Sequence, residues 1–135
     1  MGILDRFSLK GKNALVTGAG RGIGAGLATA LAEAGANVAV CDLLMDNAEA
    51  TAAKIASETG VKTIAVRVDI SKPEEVKAMV DTVVAAFGRL DIACNNAGIS
   101  IPIKSIQEVT PEEWRKQMDV NLNGTWNCIR EEGRV

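Results

Sequence analysis

The sequence predicts a doubly wound α/β fold, a parallel sheet with helices on both faces. Three observations carry that expectation. Short apolar runs rich in Val, Ile and Ala alternate with segments of helical periodicity. Three of the four runs lack polar alternation, as strands covered on both faces do. A glycine-rich loop joins the first run to the first helical segment.

In chain order, the strands are expected at NALVT (13–17), NVAVCD (37–42), TIAVRVD (63–69) and LDIACNN (90–96). Helices are expected at about 23–34, 46–58 and 73–87, followed in turn by Gly35, Gly60 and Gly88, the residue type that helix C-termini prefer. The third helix is announced by Ser71-Lys72-Pro73-Glu74, which has the spacing of a capping box with reciprocal bonds between Ser71 and Glu74. A fourth helix opens in the same way at Thr110-Pro111-Glu112-Glu113, before WRKQMDV. Strand–helix alternation of this kind implies right-handed crossovers within one sheet. No linker, repeat or low-complexity tract divides residues 1–135, so a single domain is expected.

Composition narrows the function. Lys plus Arg number 15 against 17 Asp plus Glu, a net charge of -2 scattered along the chain, which argues against nucleic acid as a partner. The apolar runs are short and the first residues carry Asp5, which implies a soluble cytoplasmic protein without a membrane segment. Cys41, Cys94 and Cys128 are far apart and there is no histidine, so no metal set is expected and the cysteines read as reduced, packed thiols. Without an imidazole, Ser-His-Asp and Cys-His nucleophile systems are excluded as well.

TGAGRGIG, at residues 17–24, lies where a phosphate-binding turn belongs. Glycines let the backbone turn sharply and let a pyrophosphate approach, while a helix N-terminus offers free amides and partial positive charge. The general dinucleotide pattern is met by Gly20, Gly22 and Ala25, and a strand before and a helix after give it the right context for a Rossmann-type sheet. The second strand ends in Asp42, 18 positions beyond Gly24, close to the separation at which a carboxylate meets an adenosine ribose. A strand-end Asp capping the next helix is the alternative. A 2′-phosphate beside Asp42 would meet repulsion on the order of a few kcal/mol, which favours NAD. Arg21 could answer that phosphate, so use of NADP stays open.

With Asn95-Asn96-Ala97-Gly98 closing the fourth strand, the sequence resembles the short-chain dehydrogenase/reductase family. Thr17, Gly18, Gly22 and Gly24, the acidic strand end at Asp42, Asp69-Ile70, the Asn95–Gly98 run and Asn121 in VNLNG agree with it in order and context across about residues 9–128. The resemblance implies pyrophosphate at the loop formed by Gly18, Arg21, Gly22, Ile23 and Gly24, adenosine ribose at Asp42, adenine at Asp69 and Ile70, and the inner ribose side at Asn96, Ala97 and Gly98. It also implies that Asn121 is the catalytic asparagine, holding a water of the proton relay through its helix backbone. Taken singly, Asp69 could begin a helix cap, Asn95 and Asn96 could be turn residues, and Asn121 an ordinary helix residue. The opening FSLKGKNALVTGAGRGIG looks most like the branch acting on sugar acids and polyols. Met79, Trp114 and Met118 read as core or interface residues.

The family's proton transfer relies on a tyrosine, a lysine four positions later and a serine. The sequence has no tyrosine, and no serine lies beyond Ser105. GRV at 133–135 resembles the opening of the family's fifth strand, with the preceding helix shortened. The expectation is therefore a truncated, cofactor-binding half of an NAD(P)-dependent alcohol/carbonyl oxidoreductase, inactive alone, whose full-length form is a homo-oligomer. A non-catalytic dinucleotide-binding or interaction module is the alternative. An uncovered fourth strand is also expected to make the isolated chain marginally stable.

Overall fold

The computed structural model describes residues 1–135. Its four strands, β1 (Asn13–Thr17), β2 (Asn37–Asp42), β3 (Thr63–Arg67) and β4 (Ile92–Cys94), form one sheet in the order β3-β2-β1-β4. Every pairing is parallel, with Thr17 level with Cys41, and Cys41 with Val66. Helices α1 (Gly22–Glu33), α2 (Met45–Thr59) and α3 (Pro73–Phe87) are the crossovers. A last helical rod contains α4 (Pro111–Met118), a π-helical segment (Asp119–Gly124) and α5 (Thr125–Glu132).

Alternation along β1 divides the interior into two cores. Ala14 and Val16 face α1 and α2, whereas Leu15 faces α3 and α5. The α1/α2 side is built mainly from Ala14, Ala19, Ala28, Ala32, Ala36, Ala48 and Ala52, so these helices can sit close to the sheet. Larger residues fill the other side, including Ile70, Val76, Met79, Val80 and Val83. Met79 is a core residue as expected; Trp114 is about half exposed and Met118 is part-buried. Both faces of β1 and of the centre of β2 are covered, which explains their unbroken apolar sequence.

The ends of several elements differ from the expectation. β3 stops at Arg67 because the Asp69 N–H turns away to the Glu75 carboxylate. β4 keeps only three residues, since the Asn96 and Ala97 amides donate to the Thr17 hydroxyl instead of extending the ladder. The capping box expected at Ser71 and Glu74 is not formed. Pro73 occupies the first helical turn and makes Lys72 the N-cap, with no side-chain cap bond. At Thr110 and Glu113 the box is present in both directions. Gly60 and Gly88 end α2 and α3 in the left-handed conformation.

Candidate functional site

The carboxyl ends of the strands open into a cleft of about 950 Å³. It lies where the chain order in the sheet reverses, β2 on one side of β1 and β4 on the other, the place where open α/β sheets bind ligands. Gly18, Arg21, Gly22, Ile23, Gly24, Asp42, Asp69, Ile70, Asn96, Ala97 and Gly98 all line it. Every position singled out for a cofactor is thus on the wall of one cavity, although the chain carries them over some 80 residues (18 to 98).

The glycine loop is shaped by close approach. A Cβ on Gly24 would lie 2.1 Å from the Gly18 carbonyl oxygen, and one on Gly18, whose φ is +63°, would lie 2.8 Å from the Ala97 Cα. Asn96 ties the loop to the end of β4, its side-chain amide donating to the carbonyls of Thr17 and Gly18 at 3.2 Å each. The fully buried Thr17 hydroxyl accepts from the Asn96 and Ala97 amides, both at 3.1 Å. Thr17 therefore works as a clasp between β1 and the β4 loop.

Asp42 serves the loop from the other side. Its carboxylate accepts from the Gly20 N–H and the Leu44 N–H, each at 2.9 Å, so it both braces the glycine turn and holds the turn that leads into α2. The capping alternative is not realised, since the N-cap of α2 is Leu44 without a side-chain cap bond, and Asp42 meets only the amide of that residue. Two bonds leave lone pairs on its oxygens for further donors.

Asp69 accepts from the backbone and hydroxyl of Ser71, at 3.0 and 2.6 Å. The hydroxyl bond in particular holds the Asp69 carboxyl below its ordinary value. Glu75, three residues after the N-cap, receives the Asp69 N–H at 2.8 Å and the Arg67 guanidinium at 2.7 Å, which lower its pKa in that order.

Asn121 stands behind the cleft wall. Its Oδ1 accepts from the Ile99 N–H and its Nδ2 donates to the Ile99 carbonyl, both at 2.8 Å, clamping the backbone just past Gly98. Its own carbonyl accepts the Thr125 hydroxyl at 2.9 Å. The π-helical segment that carries Asn121 also puts Gly124 against Ile70, where a Cβ would come within 2.7 Å of the Ile70 side chain. Asn127, buried in α5, donates to the Ile70 carbonyl at 3.0 Å. Sequence reasoning missed this role, since a lone Asn in a helical stretch carries no local signal. The outer wall comes from α4 and the residues after it, with Glu112, Arg115, Lys116, Asp119 and Val120, which the sequence had not marked.

The three cysteines are free, and no group of acidic, cysteine or histidine side chains is arranged to hold a metal. Burial pushes the Cys41 thiol far above its ordinary value and that of Cys128 up to about 12, so neither supplies a thiolate. No helix is long and apolar enough to cross a membrane.

Fold and cleft together define a Rossmann-type α/β protein with a nucleotide-sized cavity at its topological switch point. The short chain dehydrogenase family model matches residues 12–132, and the chain belongs to the short-chain dehydrogenase/reductase family of oxidoreductases. It is 45% identical over 126 residues to the short chain dehydrogenase/reductase astE of Aspergillus oryzae, covering 93% of this chain and 48% of that one. A 3-oxoacyl-[acyl-carrier-protein] reductase FabG of Staphylococcus epidermidis is 43% identical over 120 residues, covering 88% and 48%. Among solved structures, a short-chain type dehydrogenase/reductase from Mycobacterium marinum superposes with a TM-score of 0.94 at 37% identity, covering 99% of this chain and 53% of that one. An NAD+-bound xylitol dehydrogenase gives 0.90 at 32% identity, covering 93% and 48%. The chain spans about half the length of the relatives it matches. Family members use NAD(P).

Proposed function

We propose that the cleft binds a nicotinamide dinucleotide, NAD in preference to NADP, and that these residues form the cofactor-binding half of an alcohol/carbonyl oxidoreductase. The observation that carries the reading is the unsatisfied start of α1. Helices α2, α3 and α4 each have an acidic side chain in the first turn, whereas α1 has none and its N-cap, Arg21, provides no side-chain acceptor. The amides and the dipole of α1 thus point at the cleft without an internal anion, which suits a pyrophosphate. When bound, the nicotinamide supplies hydride transfer. Asp42 would accept from the adenosine ribose while keeping its hold on Gly20. Asp69 and Ile70 would border the adenine, and Asn96, Ala97 and Gly98 the inner ribose. Asn121 would keep the Ile99 backbone in place beside the inner end of the cleft.

A second reading, a dinucleotide-binding module without turnover, is favoured by one observation. The 135 residues contain no tyrosine, the residue on which the family's proton transfer relies. Titration calorimetry with NAD and NADP, followed by nicotinamide absorbance with alcohol and carbonyl substrates, separates the readings. Binding with turnover identifies an oxidoreductase in its own right, and binding without turnover the module. Binding of neither dinucleotide would overturn both. Asp42→Ala is expected to weaken NAD by about tenfold or more, the loss of one charge-assisted hydrogen bond of about 1.5–3 kcal/mol, and to narrow the gap to NADP. Assembly of full-length copies into a homo-oligomer is part of the same proposal, supported by the exposed Trp114, Leu122, Trp126 and Ile129 on the α4–α5 rod.

A further inference from the structure

The junction of α5 with β4 holds an unusual pair. Asn95, the residue after β4, donates through Nδ2 to Oε2 of Glu132, the last residue of α5, at 2.8 Å. Two buried side-chain polar atoms in the molecule lack a partner, Asn95 Oδ1 and Glu132 Oε1, and they are the other halves of these same two groups. With an ionised carboxylate both orphans are acceptors and neither can satisfy the other. A proton on Oε1 changes that, because an acid and an amide have matching edges, each with one donor and one acceptor.

We infer that Glu132, when protonated on Oε1, forms a closed, two-bond acid–amide ring with Asn95, Nδ2–H to Oε2 and Oε1–H to Oδ1, which latches the end of α5 to the end of β4 in a pH-sensitive way.

The surroundings agree. The titratable groups facing Glu132 are thiols, Cys128 from α5, Cys94 from β4 and Cys41 from β2, each raised in pKa chiefly by burial, so none of them supplies a positive charge to hold an ionised carboxylate. No cation pairs with Glu132. Arg130 and Arg134, on either side of it in sequence, both pair with Glu131, and Arg134 also reaches Asp81 on α3. Burial accordingly raises the Glu132 carboxyl above its ordinary value, against the opposing effect of the Asn95 bond. A carboxyl raised on folding binds more protons in the native state than in the unfolded one. Its stabilising contribution is complete below the ordinary value of 4.5 and is lost as the pH rises through the raised native value. The latch therefore holds in acid and loosens towards alkali. Because Asn95 directly precedes the Asn96–Gly98 wall of the cleft, the loosening starts next to the candidate site.

The test compares the protein with its Glu132→Gln variant, whose amide reproduces both edges of the protonated acid without titrating. Urea midpoints of the two are expected to run parallel below pH 4.5 and to separate above it, the unmodified protein falling relative to the variant. In parallel, the Glu132 carboxyl carbon, assigned by 13C NMR in the unmodified protein, is expected to titrate above 4.5. A carboxyl that titrates at or below that value overturns the inference, whether or not the variant folds. So does a midpoint difference that stays constant with pH.

Discussion

Replacing Thr17 by valine tests the clasp that joins the two halves of the candidate site. The side chains have nearly the same shape, so packing at this fully buried position is kept and only the hydroxyl acceptor is lost. Two amides donate to that oxygen, and they are not equally exposed to the change. The Asn96 N–H also has the Cys94 carbonyl at 3.0 Å and keeps a partner, whereas the Ala97 N–H has the Thr17 oxygen as its one acceptor. The cost is therefore that of one orphaned, part-buried donor, about 1–3 kcal/mol, and not of two. Against a typical domain stability of about 5–15 kcal/mol, this is measurable without unfolding the protein. Urea denaturation is expected to show a midpoint lower by on the order of 1 M, with an unchanged slope. Amide hydrogen exchange should show the Ala97 N–H losing protection more than its neighbours. A Thr17→Val midpoint within error of the unmodified protein would refute the reasoning, since the hydroxyl would then hold nothing that the methyl cannot.

Two glycines on α1 should respond in opposite ways to the same change. Gly24→Ala places a methyl 2.1 Å from the Gly18 carbonyl oxygen and should destabilise by about 1–3 kcal/mol or more while weakening dinucleotide binding. Gly26→Ala, with nothing within 4 Å of the new methyl, should instead gain about 0.4–1 kcal/mol in thermal or urea unfolding. Ser71→Ala should raise the Asp69 carboxyl towards its ordinary 3.8, because the hydroxyl bond is the largest influence holding it down. Asp69 contributes stability above that value and loses it as the pH falls through its native value, so in the variant the contribution is smaller and its loss is complete at higher pH. Site-resolved 13C titration of Asp69 checks the shift, and an unmoved midpoint would show that the Ser71 hydroxyl is not responsible.

Much of the fold was legible because local and tertiary preferences agree. β1 and β2 match their expected bounds, and α3 begins and ends where Pro73 and Gly88 mark it. Misreadings fall where a residue leaves the regular ladder for a side-chain partner elsewhere. Asn95 and Asn96 continue the apolar run of β4 in sequence, but Asn96 bonds to Thr17 and Asn95 to Glu132, contacts that span 79 and 37 residues. Ser71 has the spacing of a cap, yet the fixed φ of Pro73 moves the helix start by one residue, and Glu75 becomes the carboxylate that reaches back. The cleft residues were legible as an ordered set, the glycine loop, Asp42, Asp69-Ile70 and the Asn95–Gly98 run agreeing together with the short-chain dehydrogenase/reductase pattern where each alone had an ordinary structural reading. The outer wall from α4 was not, because Arg115 and Lys116 read as the solvated face of any helix.

The α4–α5 rod gives the cleft its definition through polar contacts, and this bears on how the site responds to perturbation. Asn121 clamps Ile99, Asn127 holds the Ile70 carbonyl and Glu132 holds Asn95, so one helical unit fixes backbone or side chain beside two separate strand ends. The π-helical segment sets the phase of these anchors. A π-turn inserts an extra residue into the helical repeat, so side chains after it are rotated relative to a regular α-helix. The small Gly124 completes the arrangement, since a Cβ there would lie 2.7 Å from the Ile70 side chain, so that either this side chain or the rod would have to shift. A substitution in the rod that touches no cofactor-lining residue is thus expected to act on the cleft through Ile70, Asn95 or Ile99, the three points where the rod holds it.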